Sequence, residues 1–313
     1  MKGLELCKKF YEEFGAPMLQ EQFPSILPFL AVGLVGSGSE CYGYDDEISR
    51  DHDFEPGFCV FIPDGEAIES RTVFQLERAY AKLPKEFMGF ERNLINPVGG
   101  NRHGVITIGD FFEAKVGRRD GEFSLSDWFS IPEYALAEAV NGCVFADHYG
   151  QFTEIRERLQ YYPEDIRLKK LCGNLLLMGQ AGQYNYPRCL SRNETAAAQL
   201  AAVEFVKSAL QVIFLLNKTY MPYYKWSFRA LRELPKLFDL AQPLEYLISS
   251  NNEPNNAINK EKTIESVCTT IAEELRIQVA FQSTAAQMER LAYMVNDTIN
   301  DHHIRNMHIL AAV

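Results

Sequence analysis

The sequence predicts an α+β protein, with a mixed sheet and helices in its N-terminal half followed by a C-terminal helical bundle. The first half mixes the two-residue period of strands with the three- and four-residue spacing of helices, whereas the second half shows helical spacing almost throughout. The length of 313 residues and an apolar content of 47% allow two domains with substantial cores. Because the change of period falls near Gly150, we predict domains at residues 1–150 and 151–313.

Local patterns place the elements of the N-terminal half. Helical spacing and apolar or β-branched runs predict helices over residues 2–14 and 66–82 and strands over residues 29–35, 51–62 and 105–108. Pro17, Pro24 and Pro28 predict a loop between the first helix and the first strand. Asp110 is the expected N-cap of a helix that follows the third strand.

Two later stretches complete this outline. The segment "CVFADHYGQFTEIRERL" predicts a short strand, a turn at Gly150 and a helix. The polar, Asn-rich "SSNNEPNNAINK" over residues 249–260 predicts a flexible loop within the helical half.

Composition narrows the class of protein. The net charge of −11 argues against nucleic acid as the partner, because phosphate binding needs an excess of basic surface. The apolar run over residues 26–36 is interrupted by Pro28 and Gly33 and is too short to span a bilayer, and the N-terminus has no apolar signal-peptide core. We therefore expect a cytoplasmic protein with no membrane partner.

The stretch "GSGSECYGYDDEISRDHDF" carries the strongest chemical pattern in the chain. Asp51 and Asp53 would project from the same face of the predicted strand, because side chains alternate along a strand. Two carboxylates so close repel one another unless a cation lies between them, and hard oxygen ligands suit Mg²⁺ or Mn²⁺. Gly36 and Ser37 follow the preceding strand, where backbone N–H groups and a hydroxyl can meet a phosphate. A solvated acidic turn is the alternative for this stretch.

With these residues in place, "VGSGSECYGYDDEISRDHDF" resembles the signature of the polymerase-β-like nucleotidyltransferase superfamily. That signature is a strand, Gly-Ser, an intervening helix-turn and Asp-x-Asp on the next strand. The order of "GFERNLINPVGGNRHGVITIGDFF", "GQFTEIRERLQYYPEDI" and "YMPYYKW" is similar to a bacterial family of uncharacterised nucleotidyltransferase-like proteins, DUF4037. The first resemblance covers residues 35–54, and the second runs over most of the chain.

The superfamily resemblance implies a nucleotidyltransferase-type N-terminal domain. It implies that Gly36 and Ser37 hold the phosphates of a nucleoside triphosphate and that Asp51 and Asp53 bind Mg²⁺ or Mn²⁺. Active members carry a third carboxylate on a later strand, but "GVITIGD" has no acidic residue within the expected strand. Asp110 or Glu91 could take that place, and an incomplete set of acids leaves a binding protein without catalysis open.

Further residues are candidates for contacts with the nucleotide or with a second substrate. Arg50 and Lys225 carry charges that suit phosphate, although either could serve only local ion pairing or solvation. The remaining candidates lie in a Gly-rich loop or in the aromatic "YMPYYKW", and they are Arg102, His103, Tyr223 and Trp226. A helix-helix corner with buried aromatic side chains is the alternative for the aromatic stretch.

The predicted function is metal-dependent transfer of a nucleoside monophosphate from a nucleoside triphosphate to a hydroxyl acceptor. The acceptor would be a small molecule such as an aminoglycoside-like compound, or a protein side chain. Catalysis would come from positioning and from metal stabilisation of charge on the α-phosphate. The alternative is a nucleotide-sensing or partner-binding protein with the same fold and no turnover.

Overall fold

The computed structural model describes residues 1–48, 54–92, 103–279 and 286–313. They fall into two compact units, each of which contains two stretches of the chain. The first unit comprises Met1–Phe123 and Ala135–Gln160, and the second comprises Ser124–Tyr134 and Tyr161–Val313. The predicted α+β fold with a helical C-terminal region is confirmed.

The strands of the described residues all lie in the first unit. They are, in chain order, β1 (Ala31–Leu34), β2 (Cys59–Ile62), β3 (Glu86–Phe87), β4 (Phe90–Glu91), β5 (Gly104–Thr107) and β6 (Cys143–Asp147).

The α-helices are distributed over both units. They are, in chain order, α1 (Gly3–Phe10), α2 (Ala16–Gln22), α3 (Ser70–Ala81), α4 (Ile108–Val116), α5 (Leu125–Ser130), α6 (Glu133–Val140), α7 (Gln151–Arg158), α8 (Glu164–Met178), α9 (Tyr186–Ser191), α10 (Thr195–Leu216), α11 (Tyr224–Glu233), α12 (Ala241–Ser249), α13 (Pro254–Gln278), α14 (Met288–Asn296) and α15 (His302–Asn306).

The main sheet of the first unit has the strand order β5-β2-β1-β6. Strand β1 is antiparallel to both of its neighbours, whereas β2 and β5 are parallel. The register shifts between Val32 and Gly33, where a Cβ atom on Gly33 would lie 2.6 Å from the carbonyl oxygen of Cys143. Glycine is therefore required for β6 to approach β1 this closely.

Helices cover both faces of this sheet, because side chains alternate along its strands. Val60 belongs to an apolar cluster that includes Leu6 and Phe10 of α1. Phe61 points to the other face, where its ring stacks on Phe152 of α7 with centroids 4.0 Å apart. Strand β2, which follows the acidic stretch, is thus packed between apolar side chains on both of its faces.

Several predicted boundaries differ from the structure. The first helix does not end before Pro17, since a π-helix over Tyr11–Gly15 joins α1 to α2, and Pro17 is the second residue of α2. Strand β2 begins at Cys59, so residues 54–58 are not part of it. The N-cap of α4 is Thr107, whose side chain accepts a hydrogen bond from the Asp110 backbone N–H, rather than Asp110 itself.

In the second unit, α8 packs against α10 and α14. The prediction of a flexible loop over residues 249–260 is wrong from Pro254 onward, because α13 begins there with proline in its first turn. Lys260 is buried, and its ammonium group donates to the Ser250 carbonyl at 2.6 Å and to two side-chain oxygens, Gln199 Oε1 and Asn252 Oδ1. These bonds order the Asn-rich stretch.

Helix α10 is, among the described helices, the one that is long and apolar enough to cross a membrane by length and composition. Of its most apolar stretch, 61% is buried inside the structure. Burial to this extent is what a core helix of a folded domain shows.

Candidate functional site

Four chain segments meet at one edge of the main sheet. Because β1 is antiparallel to β2 and β6, its C-terminal end lies beside the N-terminal ends of both, with Gly33 opposite Cys59 and Leu34 opposite Cys143. The N-terminal end of β5 joins them, since Cys59 is paired with Gly104. We call this place the β1 edge. It gathers residues 36–37, 54–58, 103 and 141 from distant parts of the sequence.

Gly36 is fixed at the β1 edge by a pair of hydrogen bonds to one side chain. Its N–H donates to Asn141 Oδ1 at 2.8 Å, and its carbonyl accepts from Asn141 Nδ2 at 2.8 Å. Its φ of +98° lies in the left-handed region, and a Cβ atom would lie 3.3 Å from Cε of Lys115. The backbone N–H of Gly36, which the sequence suggested for phosphate, is therefore already bonded within the protein.

Ser37 belongs to a compact polar cluster with Lys115 and Glu138. The Ser37 hydroxyl donates to Glu138 Oε2 at 2.8 Å and accepts from Lys115 Nζ at 2.5 Å. Lys115 also forms an ion pair with Glu138 at 2.7 Å, and each of these two side chains is 20% exposed. The cluster joins the last turn of α4 to α6 and leaves a lysine and a carboxylate accessible beside Ser37.

Arg156 supports this arrangement from α7. Its guanidinium group donates to the carbonyls of Val140 at 2.9 Å and Asn141 at 2.8 Å, at the C-terminal end of α6. A cation is favourable at a helix C-terminus, where the carbonyl groups lack partners. Burial lowers the pKa of Arg156 to about 10, so the side chain stays protonated at neutral pH. It thereby fixes the backbone of Asn141, which in turn holds Gly36.

A second polar pair lies at the β1 edge. Oε1 of Glu55, a buried residue, is 3.2 Å from His103 Nδ1. A Cβ atom on Gly57 would lie 2.6 Å from the His103 ring, so glycine at that position lets the histidine reach Glu55. His103 is thus bound to a carboxylate at the β1 edge.

The remaining predicted residues of the first unit fall in different places. Arg50, Asp51, Asp53 and Arg102 lie outside the described residues. Glu91 is exposed on the two-stranded sheet of β3 and β4, where it is paired with Glu86.

Asp110 belongs to an exposed cluster at the opposite end of the sheet from Gly36. Arg119 binds its carboxylate at 2.5 Å and also binds Asp64 and Glu113. The hydrogen bond from Arg119, followed by contact with Thr107, lowers the pKa of Asp110. Asp64 and Thr107 lie at the C-terminal ends of β2 and β5, so the structure does not bring Asp110 to the β1 edge.

The aromatic candidates lie in the second unit, at the start of α11. Tyr223 is the N-cap residue, and its ring packs against Tyr134 with centroids 5.4 Å apart. The Lys225 ammonium lies 5.3 Å from the centroid of the Trp226 ring and is exposed. The aromatic side chains of this stretch differ in burial, since Tyr220 is buried whereas Tyr223 and Tyr224 are exposed.

Metal binding rests on residues beyond those described. Within residues 1–48, 54–92, 103–279 and 286–313, no group of three or more His, Cys, Asp or Glu side chains is placed to hold a metal ion. The Mg²⁺ or Mn²⁺ site therefore stays a prediction based on Asp51 and Asp53.

Sequence reasoning missed Glu55, Lys115, Glu138 and Asn141. The sequence did contain a signal for Glu55, because it follows Asp51 and Asp53 at the same two-residue spacing. Lys115 and Glu138 carried no such signal, since each is an ordinary charged residue of a helix and lies 78 or 101 positions from Ser37.

Comparison with known proteins gives a single result. Residues 128–227 match the model of a domain of unknown function, DUF4037. No curated protein and no solved structure matches the chain. The matched segment carries Glu138, Asn141 and Arg156 of the first unit as well as α10 of the second. The similarity to DUF4037 that the sequence patterns suggested over most of the chain is thus found over residues 128–227.

Proposed function

We propose that the first unit binds a nucleoside triphosphate with Mg²⁺ or Mn²⁺ at the β1 edge and transfers its nucleoside monophosphate to a hydroxyl acceptor. The observation that carries this proposal is the antiparallel pairing of β1 with β2. It puts the segment that leads from Asp53 into β2 at the same edge as Gly36 and Ser37. The order of motifs that resembles the polymerase-β-like nucleotidyltransferases is therefore compatible with one shared site.

The cluster at Ser37 contains a cation that could bind a phosphate group. Lys115 is the described cation beside Ser37, and an ammonium group is a common phosphate ligand in proteins. Glu138 pairs with Lys115 in the unliganded arrangement, and we propose that the phosphate takes over this pairing. Asp51 and Asp53 would bind the metal ions that bridge the phosphates.

Glu55 is our candidate for the third carboxylate. Glu91 and Asp110 lie elsewhere in the first unit, and the described residues of β5 include no acid. Glu55 lies at the β1 edge two residues after Asp53, and its Oε1 is 3.2 Å from His103 Nδ1. A carboxylate-histidine pair of this kind suits the removal of a proton from the acceptor hydroxyl.

For the acceptor, the cellular location and the remaining ligand residues, we keep the predictions made from the sequence. We propose a hydroxyl of a small molecule or of a protein side chain as the acceptor and a cytoplasmic location. Arg50 and Arg102 are proposed phosphate ligands, and the segment with Tyr223, Lys225 and Trp226 is a proposed contact for the second substrate.

A binding protein without turnover is the second candidate. It is favoured by the absence of an acid from the described residues of β5, where active members of the superfamily carry one. Such a protein would bind nucleotide through Lys115 and the metal but release no pyrophosphate.

The test combines calorimetric titration of ATP, GTP, CTP and UTP in Mg²⁺ with an assay for pyrophosphate release. The variants are Asp51→Asn with Asp53→Asn, Lys115→Met and Glu55→Gln, and Asp110→Asn is the matched control in the exposed cluster. We expect metal-dependent binding that is lost in the double variant and weakened at least about tenfold by Lys115→Met, as for one charged hydrogen bond. Glu55→Gln should leave binding intact and reduce turnover.

Three outcomes separate the candidates. Binding with pyrophosphate release in the presence of hydroxyl compounds supports the transferase. Binding without release under every acceptor condition supports the second candidate. A folded wild-type protein that binds none of the four nucleotides refutes both.

A further inference from the structure

The second unit contains a pocket that the proposed nucleotide site does not use. Its volume of about 410 Å³ lies within the range of small-molecule sites in proteins. Side chains from α8, α10 and the start of α11 line it, and Leu177, Leu210 and Met221 give it an apolar wall. Two buried charged residues, Glu133 and Lys170, line the same pocket.

Among the residues that the structure describes, the groups within hydrogen-bond distance of Glu133 are neutral. The Gln211 amide, in the orientation that satisfies its hydrogen bonds, lies 2.6 Å from Oε2 and 3.1 Å from Oε1. The Met221 backbone N–H and the Tyr162 hydroxyl are each 3.4 Å away. A carboxylate removed from water requires strong compensation, and hydrogen bonds from neutral donors provide only part of it.

Lys170 is likewise buried in the lining of the pocket and carries the opposite charge. Its ammonium group donates to the Ala312 carbonyl at 3.2 Å and lies 5.2 Å from the centroid of the Tyr162 ring. An ammonium group has three N–H donors, so these contacts do not exhaust it. The second pair of charges at the pocket, Glu204 and Lys207, is exposed and forms an ion pair of 3.1 Å.

We propose that this pocket binds a small zwitterion of amino-acid type, with its ammonium group on Glu133, its carboxylate on Lys170 and its apolar part against Leu177, Leu210 and Met221. A ligand with a single charge would satisfy one of the two buried groups and be repelled by the other. A zwitterion satisfies both and leaves the pocket neutral, which is the arrangement that charged groups need in a site of low dielectric constant.

The protonation of Glu133 predicts how the affinity for the ligand depends on pH. Burial raises its pKa to about 7, and the nearby charge of Lys170 partly opposes this rise. The other titratable groups that face Glu133 are Tyr161, Tyr162 and Tyr220, whose pKa values burial raises, so they stay neutral. An ammonium group binds the ionised carboxylate, so affinity should fall about tenfold for each pH unit below 7 and level off above it.

The experiment is calorimetric titration of the full chain with L-leucine, L-methionine and L-phenylalanine at pH 8. For leucine, 3-methylbutylamine lacks the carboxylate and 4-methylpentanoate lacks the amine, while both keep the apolar part. We expect at least one of the amino acids to bind and its single-charge analogues to bind at least about tenfold more weakly. Equal binding of an analogue, or no binding by any of the three amino acids, overturns the proposal.

Variants locate the site. Glu133→Gln and Lys170→Met should each reduce the affinity for the amino acid at least about tenfold. Glu273→Gln, which removes an exposed carboxylate of α13 away from the pocket lining, should leave the affinity unchanged. Circular dichroism and the thermal midpoint show whether each variant is folded. If Glu133→Gln does not fold, the pH dependence of wild-type binding decides, and an affinity that is constant from pH 5.5 to 8 refutes the role of Glu133.

The pocket is formed wholly by residues of the second unit, so this inference does not rest on the proposed nucleotide site. Loss of nucleotide binding in Lys115→Met leaves the expected titrations with amino acids unaltered. The two proposals therefore fail separately.

Discussion

The raised pKa of Glu133 makes the stability of the second unit depend on pH in a direction opposite to that of most carboxylates. The pKa moves from an ordinary 4.5 to about 7 because the side chain is buried. At 1.36 kcal/mol for each pKa unit, this difference corresponds to about 3 kcal/mol of free energy of unfolding. The native state holds the proton more tightly than the unfolded chain does, so stability is complete below pH 4.5 and falls as the pH rises to 7.

Replacing Glu133 with glutamine removes this dependence while keeping the size and the hydrogen-bonding capacity of the side chain. We expect the wild type to lose about 2 kcal/mol relative to Glu133→Gln between pH 5.5 and pH 8, which is the part of the transition above pH 5.5. Comparing the two proteins at each pH cancels the contributions of the other titrating groups. Glu204→Gln, which removes an exposed carboxylate of the same unit, controls for the change in net charge.

Urea unfolding followed by tryptophan fluorescence measures this difference in the correct unit. The chain has 2 tryptophans, Trp128 and Trp226, and both belong to the second unit together with Glu133. The free energy of unfolding is obtained by linear extrapolation at each pH. Parallel pH profiles of the wild type and Glu133→Gln would show that Glu133 does not titrate near pH 7, and the reasoning from its burial would be refuted.

Three further predictions concern stability and are checked by chemical denaturation followed by circular dichroism. Gly142→Ala should destabilise the first unit by at least about 2 kcal/mol more than the control Gly65→Ala. Both glycines have positive φ, but a Cβ atom on Gly142 would lie 2.1 Å from the Leu34 carbonyl oxygen, whereas a Cβ atom on Gly65 would meet no atom within 4 Å. Thr107→Ala should cost about 1 kcal/mol through loss of the α4 cap, and Thr107→Ser should restore most of it. Lys260→Met should cost about 2 kcal/mol or more, because three oxygen acceptors lose a charged donor, whereas the exposed Lys262→Met should change little. Equal effects in a variant and its control would contradict the corresponding explanation.

The elements that the sequence predicted well are those with a dense local signal. The apolar run of β1 and the β-branched run of β5 each form a strand within two residues of the predicted bounds. The turn at Gly150, where φ is +81°, separates β6 from α7 as expected. In these cases the backbone preference and the burial pattern point to the same structure.

Contacts between distant residues account for what the sequence did not reveal. Pro17 signals a break on local grounds, but the wide π-turn before it lets the helix continue. The Asn-rich stretch is polar throughout, and its order depends on Lys260 reaching back to Ser250 and across to Gln199 of α10. Each of these outcomes depends on a partner whose position only the fold defines.

The candidate site shows the same division. Gly36 and Ser37 were recognisable from their place after a strand, whereas their partners were not. The β1 edge receives Asn141, Glu138 and Lys115 because β6 begins there and α4 ends there. No local pattern near Gly36 predicts that these distant segments come to it. The resemblance of one motif to a family thus located part of the site, and the topology supplied the rest.

The passage of the chain between the two units has a consequence for how the protein can be divided. The first unit takes up the chain again at Ala135 and keeps it to Gln160, so the backbone changes unit three times. A fragment that stops at residue 150 would lose Phe152, which is fully buried against Phe61, and Arg156, which holds Asn141. Truncation at a single peptide bond therefore exposes core surface in at least one of the pieces. Independent production of the first unit requires joining residue 123 to residue 135 and ending the chain after residue 160.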